Sequence, residues 1–263
     1  MTSTRNTLPV DRRRMTARSV IASTLLGLRP PELQTGALVA GAELLGVPPG
    51  TARVAISRMV AAGELEPTGD GYRLVGRLLE RQARQEVSVQ GALPTWDGTW
   101  WTAIVPGEAR AASDRVELRR AMAALRFGEL REGAWLRPAN LASGALPWAE
   151  EAVAASTVLV TGLVDDGIGL AARLWPLEGW ATGATSLLAE LAPLQARLDE
   201  DDADALAEAF VVAAAVLRHL QADPLLPAAL LPARWPGTEL RSAQERFDRS
   251  FRRVLRAWHL ARR

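Results

Sequence analysis

From Met15 to Leu28 the apolar side chains keep a helical beat, with Val20, Ile21, Thr24, Leu25 and Leu28 on one face. Arg29-Pro30-Pro31 stops that helix. The same spacing predicts a second helix from about Thr35 to Leu45, with Leu38, Val39, Ala42 and Leu45 inward and Gly46 as its terminating residue. A third helix, from about Thr51 to Ala62, follows the short turn Val47-Pro48-Pro49-Gly50 and turns Ala52, Ile56 and Met59 inward. Behind it Gly63-Glu64-Leu65 opens a strand, Thr68-Gly69-Asp70-Gly71 has hairpin-turn chemistry, and Tyr72-Arg73-Leu74 returns. Three helices with a tight turn before the third and a hairpin behind it make a winged helix-turn-helix over Met15 to Leu79. The polar, arginine-rich residues 1–14 read as a loose arm. A linking helix is expected from about Gly76 to Glu86.

The pattern then changes. Trp100 to Val105 predicts a buried strand, Asp114 to Leu125 an amphipathic helix, and Ala134 to Arg137 a short strand. Pro147 to Ala155 reads as a helix and Thr157 to Val164 as a strong strand, while Asp165-Asp166-Gly167 reads as a turn. This is the outline of a ferredoxin-like α/β sandwich. From residue 175 onward the chain reads as helices: Glu178 to Arg197, a strongly apolar one from Asp202 to Gln221, and a last one from about Thr238 to Leu260 after a proline-rich connector. The expected fold class is therefore α+β. A winged-helix domain is expected at 15–87, a ferredoxin-like central domain at 92–174, and a helical C-terminal domain at 175–263.

Charge sharpens this division. Residues 1–87 hold 12 Arg against 8 acids, residues 88–238 hold 11 against 19, and residues 239–263 hold 8 against 3. A basic head and tail around an acidic middle mean that only part of the chain is suited to a polyanion. Every cation is arginine, a bias that a GC-rich genome accounts for, and cysteine is absent. Disulfides, zinc-thiolate sites and cysteine nucleophiles are thereby excluded, which fits a reducing compartment. Neither a signal peptide nor an apolar run long enough to span a membrane is read, so a cytoplasmic protein without a membrane partner is expected.

The third helix carries the clearest chemistry. A helix fits the major groove, where arginine can donate two hydrogen bonds to guanine and serine can bond base or phosphate. Thr51, Arg53, Ser57 and Arg58 are of the right types, and Arg73 after the wing turn could reach a neighbouring phosphate. An ordinary solvated face would carry the same residues, so periodicity alone leaves both readings open.

Four stretches carry a resemblance. They are TARVAISRMVAAGEL at Thr51 to Leu65, WDGTWW at Trp96 to Trp101, LRRAMAALRFGELREGAWLRP at Leu118 to Pro138, and DPLLPAALLPARWPG at Asp223 to Gly237. In this order the chain resembles the PaaX family, repressors of phenylacetic acid degradation genes. The resemblance implies a homodimer on a double-stranded DNA operator, released by an aryl-CoA thioester such as phenylacetyl-CoA. It also implies that the central domain is similar to the Cas2-type ferredoxin fold. A family member with another effector, or with none, remains the alternative.

For the effector, Arg119, Arg126 and Arg137 are candidate phosphate-gripping residues, and Trp135 and Trp180 candidate walls of an aromatic acyl pocket. Salt bridges with the acids of this region, and core packing of the tryptophans, are the competing assignments. The last helix sets Phe247, Phe251, Val254 and Trp258 on one side and Arg246, Arg249, Arg253 and Arg256 on the other. A docked helix with a solvated face accounts for that, and a second DNA contact or pairing with an acidic partner surface competes with it. The run Asp199, Glu200, Asp201, Asp202, Asp204 reads as helix-start acids rather than a metal site. Enzyme readings on nucleic acid or thioester are poor. His219 and His259 lie in no triad-like context, no phosphate loop occurs, and WWTAIV offers no strand carboxylate for a Cas2-like nuclease. No catalytic residue, metal or cofactor is expected.

Overall fold

The computed structural model describes residues 16–93, 95–107 and 111–261. The arm read at residues 1–14 lies outside the described residues. The chain divides into two compact units, one of Met1–Arg81, Leu191–Ala215 and Phe247–Arg263, the other of Gln82–Glu190 and Val216–Arg246. The architecture is α+β, with ten α-helices and two small sheets among the described residues.

The first unit is built on the helical beat of its opening residues. Helix α1 (Ala17–Leu26) starts at Thr16, whose hydroxyl accepts from the Ser19 amide at 3.2 Å. Val20, Ile21 and Leu25 of α1 close one core with Leu38, Val39 and Ala42 of α2 (Thr35–Leu44) and Ala52, Ile56 and Met59 of α3 (Pro49–Ala61). Helix α3 begins two residues before the expected Thr51, because Pro49 fits a first helical position that needs no N–H. Strands β2 (Leu65–Pro67) and β3 (Gly71–Leu74) form the hairpin, Leu65 opposite Leu74. A third strand, β1 (Glu32–Gln34), was not expected. It follows Pro31 directly and pairs with β3, Leu33 opposite Tyr72. That pairing needs Gly71, since a Cβ there would sit 2.2 Å from the Leu33 carbonyl oxygen.

The C-terminal helices α8 (Leu177–Asp199), α9 (Leu206–Gln221) and α10 (Gly237–Leu260) complete this unit with parts of their length. Phe247 and Val254 are buried, as the apolar side of the last helix predicts. Its arginines are not all solvated. Arg253 donates to the Leu198 carbonyl at 2.7 Å and to Asp201 at 2.9 Å, and Arg252 donates to the Gly27 carbonyl beyond α1. The acidic run is spent similarly. Asp199 accepts from Ser250, while Asp202 pairs with Arg197 and caps the turn at Ala203–Ala205.

In the second unit, entered through α4 (Arg77–Gln90), the order is β4 (Trp100–Ile104), α5 (Ala112–Ala124), β5 (Gly128–Arg131), β6 (Ala134–Pro138), α6 (Pro147–Ser156) and β7 (Val158–Gly162). The strands lie side by side as β5-β6-β4-β7, every neighbour antiparallel. This is the ferredoxin-like arrangement. Helices α5 and α6 cover one side of the sheet with Ala121, Met122, Leu125, Ala149 and Val153. Against Trp100 and Leu136 pack Ala171 of α7 (Gly167–Leu174) and Leu226 and Leu230 of the proline-rich connector. Two elements here escaped the periodicity. Strand β5 is mostly exposed and irregular between Glu129 and Arg131. Asp165 and Asp166 form the expected turn, and α7 starts directly after it at Gly167, with the Asp166 carboxylate accepting from the Gly169 amide at 2.8 Å as its N-cap.

Trp180 stacks on the His219 ring at 4.6 Å and on Trp235 at 4.5 Å. Its indole donates to the His219 carbonyl, and His219 Nε2 lies 2.9 Å from the Trp180 carbonyl. A carbonyl only accepts, so Nε2 carries the proton and the neutral ring serves as donor. Burial of the ring pushes its pKa below 6.5, against the opposing pull of the Trp180 carbonyl and Asp223. The unfolded chain therefore takes up this proton before the folded one does. Stability present above pH 6.5 is expected to be lost as pH falls through the depressed folded value. Denaturant titrations from pH 8 to 5 check this: His219→Gln should flatten the dependence below about 6.5, the ordinary histidine value.

Candidate nucleic-acid interface

Helix α3 turns one side to the core and leaves Gly50, Thr51, Arg53, Val54, Ser57 and Arg58 exposed. At about 100° per residue, Arg53 and Arg58 point about 140° apart, and Val54 and Ser57 fall inside the arc between them. The four sequence-derived residues Thr51, Arg53, Ser57 and Arg58 thus share one open surface, with Arg53 on one flank and Arg58 and Thr51, about 20° apart, on the other. Val54 was not singled out from the sequence. It is 52% exposed although it is a branched hydrocarbon. The signal was available in the helical spacing, because the buried face is already complete without it.

Arg73 stands elsewhere. It lies on β3 opposite Glu66 and donates to that carboxylate from Nη2 at 2.8 Å and from Nε at 3.0 Å. Both side chains are about half exposed, so the pair is weak and can be exchanged for another acceptor. The wing is fixed at its turn, where Gln34 donates to the Asp70 carboxylate and both the amide and the hydroxyl of Thr35 donate to the Asp70 carbonyl. Arg18 joins Glu64 at the base of the hairpin through two bonds.

The five residues considered for an effector do not form one cluster. Arg119 is exposed, lies over the Trp135 ring at 5.4 Å and pairs with Glu129 at 2.9 Å. Trp180 is buried in the stack with His219 and Trp235. Arg126 and Arg137 are interior. Arg137, 1% exposed, donates to the carbonyls of Pro138 and Leu125 and to the Asn140 side chain. Arg126 donates to the Ser88 hydroxyl at 2.6 Å. Leu125 is the C-cap of α5, and Arg137 and Arg126 lie at this end of the helix, where cations complement unpaired carbonyls and the helix dipole. Burial pulls the two guanidinium groups down to about 10 for Arg126 and about 9 for Arg137.

These two arginines belong to a larger interior network. The Asn140 amide donates to the Leu225 carbonyl at 2.8 Å. Asp223 accepts from the Leu225 amide and pairs with Arg241 at 2.7 Å. Arg241 in turn donates to the Ser88 carbonyl. The network joins residues of the LRFGELREGAWLRP run to residues of the DPLLP run. Sequence reading marked both runs but missed Ser88, Asn140, Asp223 and Arg241, none of which falls in a recognisable chemical spacing. Among the described residues, no group of three or more His, Cys, Asp or Glu is placed to hold a metal ion, and no helix is long and apolar enough to cross a membrane.

Comparison with known proteins covers most of the chain. Residues 16–78 match the family model described as PaaX-like protein, residues 93–164 the PaaX protein central Cas2-like domain, and residues 175–259 the PaaX-like protein C-terminal domain. A solved structure of an uncharacterized protein from Mycobacterium tuberculosis is 40% identical, with a TM-score of 0.68. That match covers 92% of this chain and 98% of the other. No curated protein matches the chain.

Proposed function

Since the chain belongs to the PaaX-like family, we propose that it is a transcriptional regulator that binds double-stranded DNA through α3, with Thr51, Arg53, Ser57 and Arg58 in the major groove and Arg73 on a neighbouring phosphate. The observation that carries this reading is the open face of α3, edged by two arginines on a small helical head with a wing. The segregation of basic charge into the head and tail supports it.

The chain acts as a homodimer on a palindromic site in this proposal, with the two α3 helices about 34–36 Å or a multiple apart. Edge strand β7 supports self-association: Val158, Leu159 and Val160 are each about half exposed, which is unusual for consecutive apolar strand residues. The regulator is a cytoplasmic repressor without catalytic activity, released by an aryl-CoA thioester. A ligand of that kind releases DNA only by its differential affinity for the two states. Arg119 and Trp135, which stack at the surface, are the better placed of the five effector residues. Trp180, Arg126 and Arg137 act from the interior, shaping the domain that receives the ligand.

Selection of binding sites from a random duplex pool, followed by gel shifts with and without phenylacetyl-CoA, tests the reading. Enrichment of one palindromic sequence and its release by the thioester are expected. Enrichment without release, and no heat on titration with the thioester, would leave a regulator with another effector or none. No enrichment at all would refute DNA recognition.

A further inference from the structure

We propose that Val54 is a specificity-determining residue of α3, packing on the 5-methyl group of a thymine while Arg53 and Arg58 hold the backbones that flank the groove. This rests on the DNA-binding reading above.

Val54 is more than half exposed, in the middle of the open face. The other apolar side chains of comparable size on α3 face the protein: Ile56 and Met59 are buried in the core, and Val60 packs against it. Val54 thus contributes nothing to the core, and a branched residue there is a poorer helix former than alanine. Its position gives it a different use. Arg58 is four residues on and about 40° away, whereas Arg53 is the preceding residue, about 100° away on the other side. A helix seated with Val54 toward the base edges sends the two longer side chains outward to opposite walls of the groove. The intervening Ser57 is short and leaves that approach open. Of the four bases, only thymine offers an apolar group on its major-groove edge, so a valine at the floor of the groove distinguishes thymine from the other three.

The test uses the full-length protein and a duplex chosen by the selection described above. Each thymine of one half-site is replaced in turn by deoxyuridine, which removes the methyl group and keeps every hydrogen-bonding atom. Binding is followed by fluorescence anisotropy for the wild type and for Val54→Ala. Wild type should lose about three- to fivefold in affinity at one thymine per half-site, the worth of one buried methyl group. Val54→Ala, which changes both subunits of the dimer, should lose about ten- to twenty-five-fold on the unmodified duplex, one such methyl contact in each half-site, and show no further loss with deoxyuridine at that position, the signature of a direct pair. Equal binding of all duplexes by the wild type, or undiminished methyl sensitivity in Val54→Ala, overturns the inference while leaving DNA binding intact. A selection that enriches nothing removes the DNA-binding reading and this inference together.

Discussion

Asp223→Ala is expected to destabilise the second unit by about 3–5 kcal/mol, the cost of leaving a buried charge without its partner. Asp223 is 2% exposed. One of its oxygens pairs with Arg241, and the other accepts from the Leu225 amide. Arg126 lies close enough for the carboxylate to favour its charged form, while Arg241 and Arg84 oppose it. Removing the carboxylate therefore leaves several guanidinium groups facing one another in a poorly solvated interior. It also releases the turn at Leu225, whose φ of 56° is unfavourable for a branched side chain and is held by that amide bond. Urea unfolding followed by far-UV circular dichroism and by tryptophan emission would measure the loss, with the two probes compared because a two-unit chain need not unfold in one step. Asp223→Leu combined with Arg241→Met should recover part of the stability, since a pair removed whole leaves no orphaned charge. A loss below about 1 kcal/mol would place the pair among surface-like ion pairs instead.

The second large effect concerns affinity. Arg53→Ala combined with Arg58→Ala is expected to weaken operator binding by about 2–4 kcal/mol, roughly thirty- to a thousandfold. Two side chains pointing about 140° apart on one helix cannot both read a single base pair. The slope of log affinity against log salt should fall by about one unit for each arginine that meets a phosphate. An arginine that reads a guanine would instead relax the preference at one operator position. Anisotropy titrations from low to moderate salt with each single variant separate the roles. Unchanged affinity and slope in the double variant would mean that the reading face lies elsewhere.

The division between what the sequence disclosed and what it hid follows physical lines. Helices α1, α2 and α3 were legible because each buries a full stripe, and Ala52, Ile56 and Met59 sit where the spacing puts them. The hairpin of β2 and β3 was legible from its turn chemistry. Strands β1 and β5 were not, since three or four mostly exposed residues leave no alternation to detect. The open face of α3 was half legible. Its polar residues announced themselves by type, but Val54 passed as ordinary because an apolar residue in a helix is read as core by default. Arg126 and Arg137 were hidden in the opposite sense, because a residue type read as surface-facing is buried here. Arginine is rarely interior unless paired, and neither was expected to close the end of a helix with its guanidinium group. Their partners are main-chain carbonyls, the Asn140 side chain and the Ser88 hydroxyl, which carry no spacing signature.

The stack of Trp180 with Trp235 and His219 gives the protein an optical handle. Two indoles with ring centroids 4.5 Å apart couple their electronic transitions, so this pair should contribute to the near-ultraviolet dichroism beside the cluster of Trp96, Trp100 and Trp175. An imidazole that gains a proton quenches an indole it touches. The emission of one buried tryptophan thus reports on its neighbour's charge without any attached dye, and on whatever shifts α9 against α8 where the rings meet.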